Sequence, residues 1–196
     1  MVLGTHFHND LGLGLANTVA AAQAGARVLA SSWLGIAERS GLAATEQLLF
    51  LLAYEKETTA AVLGPDADPW WEQPDLTLLP GLADAVSRGT GVPISVTTPI
   101  VGSGVGTIST GTPFAAPDVY QPFDPETVLG LRPRVLLTHL ASGRVVRAVA
   151  AELGHDLDAA RAALALTWVK HRAYRTGRAV VEREQFADFL DGLHAS

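Results

Sequence analysis

Cysteine is absent from the 196 residues. That excludes disulfides and thiolate chemistry, and it leaves the redox compartment open. Basic charge is scarce: 14 Lys and Arg against 20 Asp and Glu give a net charge of -6 with histidine neutral. Nucleic-acid and anionic-membrane surfaces need clustered Lys and Arg, so no nucleic acid and no membrane is expected as a partner. No long uncharged apolar run approaches a membrane span, and no basic-plus-apolar leader stands before Gly4. A cytoplasmic protein is therefore the expectation. What remains is a globular composition, 48% hydrophobic and 17% charged, long enough for one domain or for one domain with a small appendage.

The order of elements is uneven along the chain. Val2 to His8 reads as a short strand, Leu11 to Ala24 as a helix closed by Gly25, and Arg27 to Trp33 as a second strand. Gly35 to Gly41 (GIAERSG) is a loop, and Ala43 to Lys56 a helix whose Leu48, Leu49, Leu51 and Leu52 are core or interface. This alternation is that of a parallel α/β sheet or barrel. Residues 1–64 thus form one region. A connector over 65–134 follows, opening on the proline- and acid-rich PDADPWWEQP and holding a helix over Leu76 to Arg88. Within it, Pro99 to Pro125 has no clear period; its GSGVGT lacks the Lys-Ser/Thr of a phosphate loop and reads as a flexible flap. Trp70 and Trp71 read as packing surface. Residues 135–196 form a helical region, with helices over Leu137 to Leu153, Leu157 to Arg175 and Glu182 to Leu193.

The opening stretch, GTHFHNDLGLGLANTVAAAQAGA, carries the chemistry. On a strand, residues i and i+2 share a face, so His6 and His8 present two imidazoles side by side. Two neutral imidazoles suit a divalent transition metal. Two histidines on a half-exposed strand would read the same way, and two ligands alone do not close a metal site. Asn9 and Asp10 follow where the strand ends, the position at which α/β barrels carry their active sites.

Joined to GIAERSGLAATE, this stretch resembles the homocitrate synthase and 2-isopropylmalate synthase family, acyl-CoA-dependent condensing enzymes built on a metal-dependent barrel. The matching residues are His6, His8, Asn9, Asp10, Gly12, Ala16, Asn17, Ala24 to Ala26, Gly35, Ile36, Glu38, Arg39 and Gly41. LPGLADAVSRGTGVPISVTTPIVG, PDVYQPFDP and THLASGRVVRAVAAELG are similar to the family's segments beyond the barrel. The fold implied is α/β: the C-terminal part of a (β/α)8 TIM barrel followed by a mostly helical subdomain. The metal, a divalent ion such as Mg, Mn or Zn, is implied to sit on His6 and His8. Asn9, Asp10, Glu38 and Arg39 are expected substrate contacts, although Glu38 and Arg39 would equally make a loop ion pair. Tyr120 of PDVY is expected to be catalytic. Acyl-CoA, acetyl-CoA first, and a small 2-oxo acid are the implied substrates. The resemblance also implies one chain of a split enzyme, with a second chain carrying the N-terminal barrel half and a further metal carboxylate.

Two departures from the family pattern bear on function. After GER-x-G, isopropylmalate synthases have an Asn that ligates the metal; here Leu42 stands there, as in the lysine-pathway homocitrate synthases. The family's H-x-x-G-I-H motif corresponds to GTISTGTP, and no histidine lies between His8 and His139. Tyr120 therefore lacks its usual histidine partner. A non-catalytic accessory or regulatory subunit that stabilises a condensing partner, and a 2-isopropylmalate synthase-like or lyase activity, stand as alternatives to the homocitrate synthase-like enzyme. His139 is expected to shape the subdomain, and His155, His171 and His194 to be surface residues.

Overall fold

A computed structural model describes residues 1–194, and of Phe114, Ala115, Asp118 and His194 the backbone alone. The chain divides into two compact units, residues 1–105 with 125–131, and residues 106–124 with 132 onward.

In the first unit, β1 (Gly4–Thr5) runs parallel to β2 (Val28–Leu29), with Gly4 opposite Val28. The helix α1 (Gly14–Gln23) makes the crossover, as a parallel pair requires. Both strands are shorter than their sequences suggest. Past β1 the backbone leaves the ladder and returns only at His8, which bridges to Leu42 in antiparallel sense. Past β2 it returns at Ser32, bridged to Ala44. The helix α1 also starts late. Gly12 takes a positive φ of 73° in the preceding turn, and the Asn9 side chain accepts the Gly14 backbone N–H at 2.9 Å, satisfying one of the helix's unpaired donors.

The expected helix over Ala43 to Lys56 is two helices, α2 (Thr45–Ala53) and α3 (Lys56–Leu63). Between them Glu55 is extended, and the Thr59 hydroxyl donates to the Leu52 carbonyl at 2.9 Å. Ala22, Leu48, Leu52 and Val62 form the core here. Trp70 packs against that core and donates its Nε1–H to the Leu52 carbonyl at 2.8 Å, whereas Trp71 is fully exposed. A 3-10 turn, Leu76–Leu78, leads into α4 (Leu79–Thr90), which ends at Gly91 in the left-handed conformation. Further on, Gly102 is buried so closely that a Cβ there would lie 2.5 to 2.7 Å from the carbonyl oxygens of Thr98, Ser95 and Val96.

In the second unit, β3 (Thr107–Ile108) pairs in parallel with β4 (Arg134–Val135). Two single-turn helices, α5 (Thr112–Ala115) and α6 (Pro117–Tyr120), lie between these strands in sequence. A third short helix, α7 (Pro125–Leu129), belongs to the first unit. The strand β5 (Leu137–Thr138) pairs antiparallel with β6 (Val180–Val181) beside three longer helices. These are α8 (Gly143–Glu152), α9 (Ala159–Thr176) and α10 (Arg183–His194). Ser142 and Asp158 cap α8 and α9 with side-chain oxygens, and Gly177 closes α9. On α9 the buried residues Ala162, Ala165, Val169 and Ala173 recur at helical spacing, a stripe that faces the core. Phe186 of α10 is fully buried in the same core. Phe186→Ala should cost about 3–5 kcal/mol, read as a lowered urea midpoint with little change in slope.

Among the described residues the strands form three separate two-stranded sheets. The chain is thus a helix-rich α/β protein. The expected C-terminal arc of a barrel is not drawn by these strands, because a barrel is a single closed ladder and each pair here lacks further neighbours. His155 is also less exposed than expected: its side chain is 15% accessible and lies 3.5 Å from Asp191. His171 is exposed, and the surface reading of His194 falls on a side chain outside the described ones. No described helix is long and apolar enough to cross a membrane.

Candidate metal and substrate site

The site grows from the end of β1. His6 and His8 come out on one side with ring centroids 5.4 Å apart and an interplanar angle of 64°. That separation lets both rings reach one ion at a nitrogen–metal distance of about 2.0–2.1 Å. His6 is exposed and His8 half-buried. The Nδ1 of His8 is buried and has no hydrogen-bond partner. A buried imidazole nitrogen normally binds a ligand or an orienting partner, so the orphan atom fits a ring that holds a metal. The donor set is partial. Among the described residues no group of three or more His, Cys, Asp or Glu side chains could hold an ion.

The residues after the histidines are engaged locally. Asn9 donates its backbone N–H to the Gly41 carbonyl at 2.8 Å while its side chain caps α1. Its Oδ1 thus already accepts one hydrogen bond. Asp10 receives two hydrogen bonds from Arg39, Nε to Oδ1 and Nη2 to Oδ2, each 3.1 Å. The Arg39 guanidinium holds the Asp10 carboxyl below the usual carboxylate range. Both side chains are largely exposed, so the pair orients the loop more than it stabilises the fold. The ion pair thus joins Arg39 to Asp10 beside the histidines. Glu38 is exposed on the same loop.

Backbone contacts close this loop on itself, and the bridge from Leu42 to His8 sets it against the histidine segment. Leu42 N donates to Gly35 O at 3.0 Å, and Gly41 N to Glu38 O at 3.0 Å. Among the described residues three non-glycine residues have positive φ, and two of them, Leu34 and Arg39, lie here. Leu42, opposite His8 in the bridge, is buried. The position next to the imidazole thus carries no donor atom. Tyr120 belongs to the second unit, at the end of α6, and is about half exposed. His139, in that unit too, lies 5.9 Å from Tyr174 between ring centroids. A cleft of about 600 Å³ between Arg27, Leu52 and the Pro65 to Pro69 segment touches none of the candidate residues.

Glu46 is a residue that the sequence does not mark as functional. It sits in the first turn of α2, is fully buried, and accepts the Leu34 N–H at 3.0 Å. Its only signal was one acidic residue ahead of the apolar run QLLFLLA.

Residues 1–69 match the family model described as HMGL-like, which makes this segment an HMGL-like, TIM-barrel-family domain. The 2-isopropylmalate synthase of Acetivibrio thermocellus is 35% identical over 165 residues, covering 82% of this chain and 30% of that protein. A homocitrate synthase AksA of Methanosarcina mazei is 32% identical over 157 residues, 78% of this chain and 35% of the relative. A putative (R)-citramalate synthase CimA of Methanoculleus marisnigri is 35% identical over 182 residues, 90% and 33% respectively. The chain belongs to the homocitrate and 2-isopropylmalate synthase family. It spans about a third of the length of the curated relatives it matches.

Proposed function

We propose that this chain supplies the metal and 2-oxo-acid side of a homocitrate synthase-like enzyme that joins an acyl-CoA, acetyl-CoA first, to a 2-oxo acid. The observation that carries this reading is the pair of neighbouring imidazoles, His6 and His8, with the orphaned Nδ1 of His8, inside the HMGL-like segment. A bound divalent ion would act as a Lewis acid on the keto oxygen of the 2-oxo acid. His6 and His8 would hold that ion. Arg39 keeps donors beyond the two that Asp10 takes, and a guanidinium matches a substrate carboxylate in shape and charge. Glu38 and the Asn9 amide would complete the polar lining.

The site needs a third ligand and a base from residues beyond these 196, on a partner chain or on another segment of the same protein. Such residues would also extend the β1–β2 pair, whose edges are unpaired among the described residues. Tyr120 would donate a proton to the alkoxide that forms as the acyl carbon bonds the keto carbon. Hydrolysis of the thioester then releases coenzyme A. Tyr120 would act without the histidine that the family pairs with it. Tyr120→Phe should therefore lower kcat about ten- to a thousandfold with a smaller change in KM, measured as coenzyme A release by the reconstituted enzyme. A variant equal to an active wild type would remove Tyr120 from the mechanism. The absence of histidine between His8 and His139 favours one other reading, an accessory subunit that stabilises a condensing partner. Coenzyme A release separates the two.

A further inference from the structure

Glu46 is a charged side chain with 0% exposure, and such residues are seldom buried without a pair. Its Oε2 accepts the Leu34 amide, while its Oε1 is buried without a hydrogen-bond partner. Burial pushes the carboxyl above its ordinary range, opposed by hydrogen bonds from its own and the Leu34 backbone N–H. The residue it grips is in an unfavourable conformation: Leu34 has φ 55° and ψ 16°, a left-handed geometry that a branched side chain resists. Something must hold it there. Directly after it, Gly35 O accepts the Leu42 N–H, and Leu42 bridges to His8. One residue earlier, Gly41 O accepts from Asn9. A continuous path of hydrogen bonds and bridges thus runs from the carboxylate to the imidazole strand, through the loop that bears Glu38 and Arg39.

We infer that Glu46 is a positioning residue, which clamps the Leu34 amide and so fixes the loop that seats His8 and carries Glu38 and Arg39. The clamp is a property of this chain, whereas its consequence for a metal rests on the function proposed above. Helix α2 supplies the carboxylate from a rigid element, and the single hydrogen bond decides the shape of the turn. Partners that orient metal ligands typically change affinity by ten- to a hundredfold when removed, and an effect in that range is expected here.

The test compares Glu46→Ala and Glu46→Gln in the full chain, with two readouts: amide hydrogen exchange at Leu34, and titration with Co2+ followed by its visible absorption. Alanine should expose the Leu34 amide to exchange and weaken Co2+ binding at least about tenfold. Glutamine keeps an acceptor for that amide and should restore both. If Glu46→Ala does not fold, adding Leu34→Gly relieves the left-handed strain. The double variant should then fold with Co2+ affinity still low. Wild-type exchange and wild-type Co2+ affinity in Glu46→Ala would overturn the inference. So would glutamine that restores protection at Leu34 without restoring affinity. If the chain alone binds no Co2+, as a site with two of its ligands allows, Leu34 exchange alone decides the clamp: protection lost in alanine and kept in glutamine supports it, and protection kept in alanine overturns it.

Discussion

With alanine at both His6 and His8, binding of divalent metal should fall below detection while the fold stays intact. The ring of His6 is exposed and makes no packing contribution that the core needs. The ring of His8 is half-buried, but its place in the structure is set by a backbone bridge to Leu42, which alanine keeps. Removal of both imidazoles takes away every nitrogen ligand that the candidate site offers. The measurement is metal content after dialysis against Co2+ or Zn2+, beside far-UV circular dichroism. Single variants should retain weak binding, since one imidazole remains. Full occupancy in the double variant would show that these histidines are not ligands.

Gly41→Ala should have the largest effect on structure of any single substitution in the loop. Gly41 has φ 82°, and a Cβ there would stand 1.9 Å from the Gly35 carbonyl oxygen. The left-handed conformation costs an L-residue roughly 1–2 kcal/mol, and forcing backbone apart in a packed region costs about 1–3 kcal/mol more. Gly35 O is also the acceptor for Leu42 N, so relief of the clash pulls on the segment opposite His8. The expected result is a fall in stability of several kcal/mol, with loss of metal binding before global unfolding. Gly12→Ala is the control. Gly12 shares a positive φ of 73° but has nothing within 4 Å of the added carbon, so only the conformational cost of roughly 1–2 kcal/mol should appear. Equal effects at the two positions would mean that the contact with Gly35 is not what holds the loop.

The sequence showed most clearly what is decided locally. Helices α8, α9 and α10 were legible because their apolar residues recur at helical spacing and their caps are near neighbours in the chain: Ser142, Asp158 and Gly177. Strand lengths are not legible locally, because a strand needs a partner. Val2 to His8 has strand character, but only Gly4–Thr5 finds a ladder, against Val28–Leu29. The break between α2 and α3 was hidden by good helix formers on both sides, and it is marked by a tertiary contact, Thr59 to the Leu52 carbonyl. The short helices α5, α6 and α7 escaped a reading based on period, although each carries proline in its first turn, a known starting signal. At the site, the spacing of His6 and His8 implied two neighbouring rings, as they stand in the fold, and left their role as ligands open. The roles of Asn9 and Glu46 were not legible. An asparagine before a helix and an acid in a first turn read as ordinary helix-end residues, and only the fold shows Asn9 holding α1 beside the histidines and Glu46 buried beneath the loop.

The proposed function gives His6 and His8 a part in a reaction between an acyl-CoA and a 2-oxo acid. It is tested most directly by coenzyme A release from the enzyme assembled with the remaining barrel residues. Acetyl-CoA should be supplied with a panel of 2-oxo acids, with and without divalent metal. Release should need both the metal and one of the 2-oxo acids, and should disappear in the His6→Ala, His8→Ala variant. Release that survives in that variant, or no release with any 2-oxo acid from a complex that this chain visibly stabilises, would contradict the proposed function.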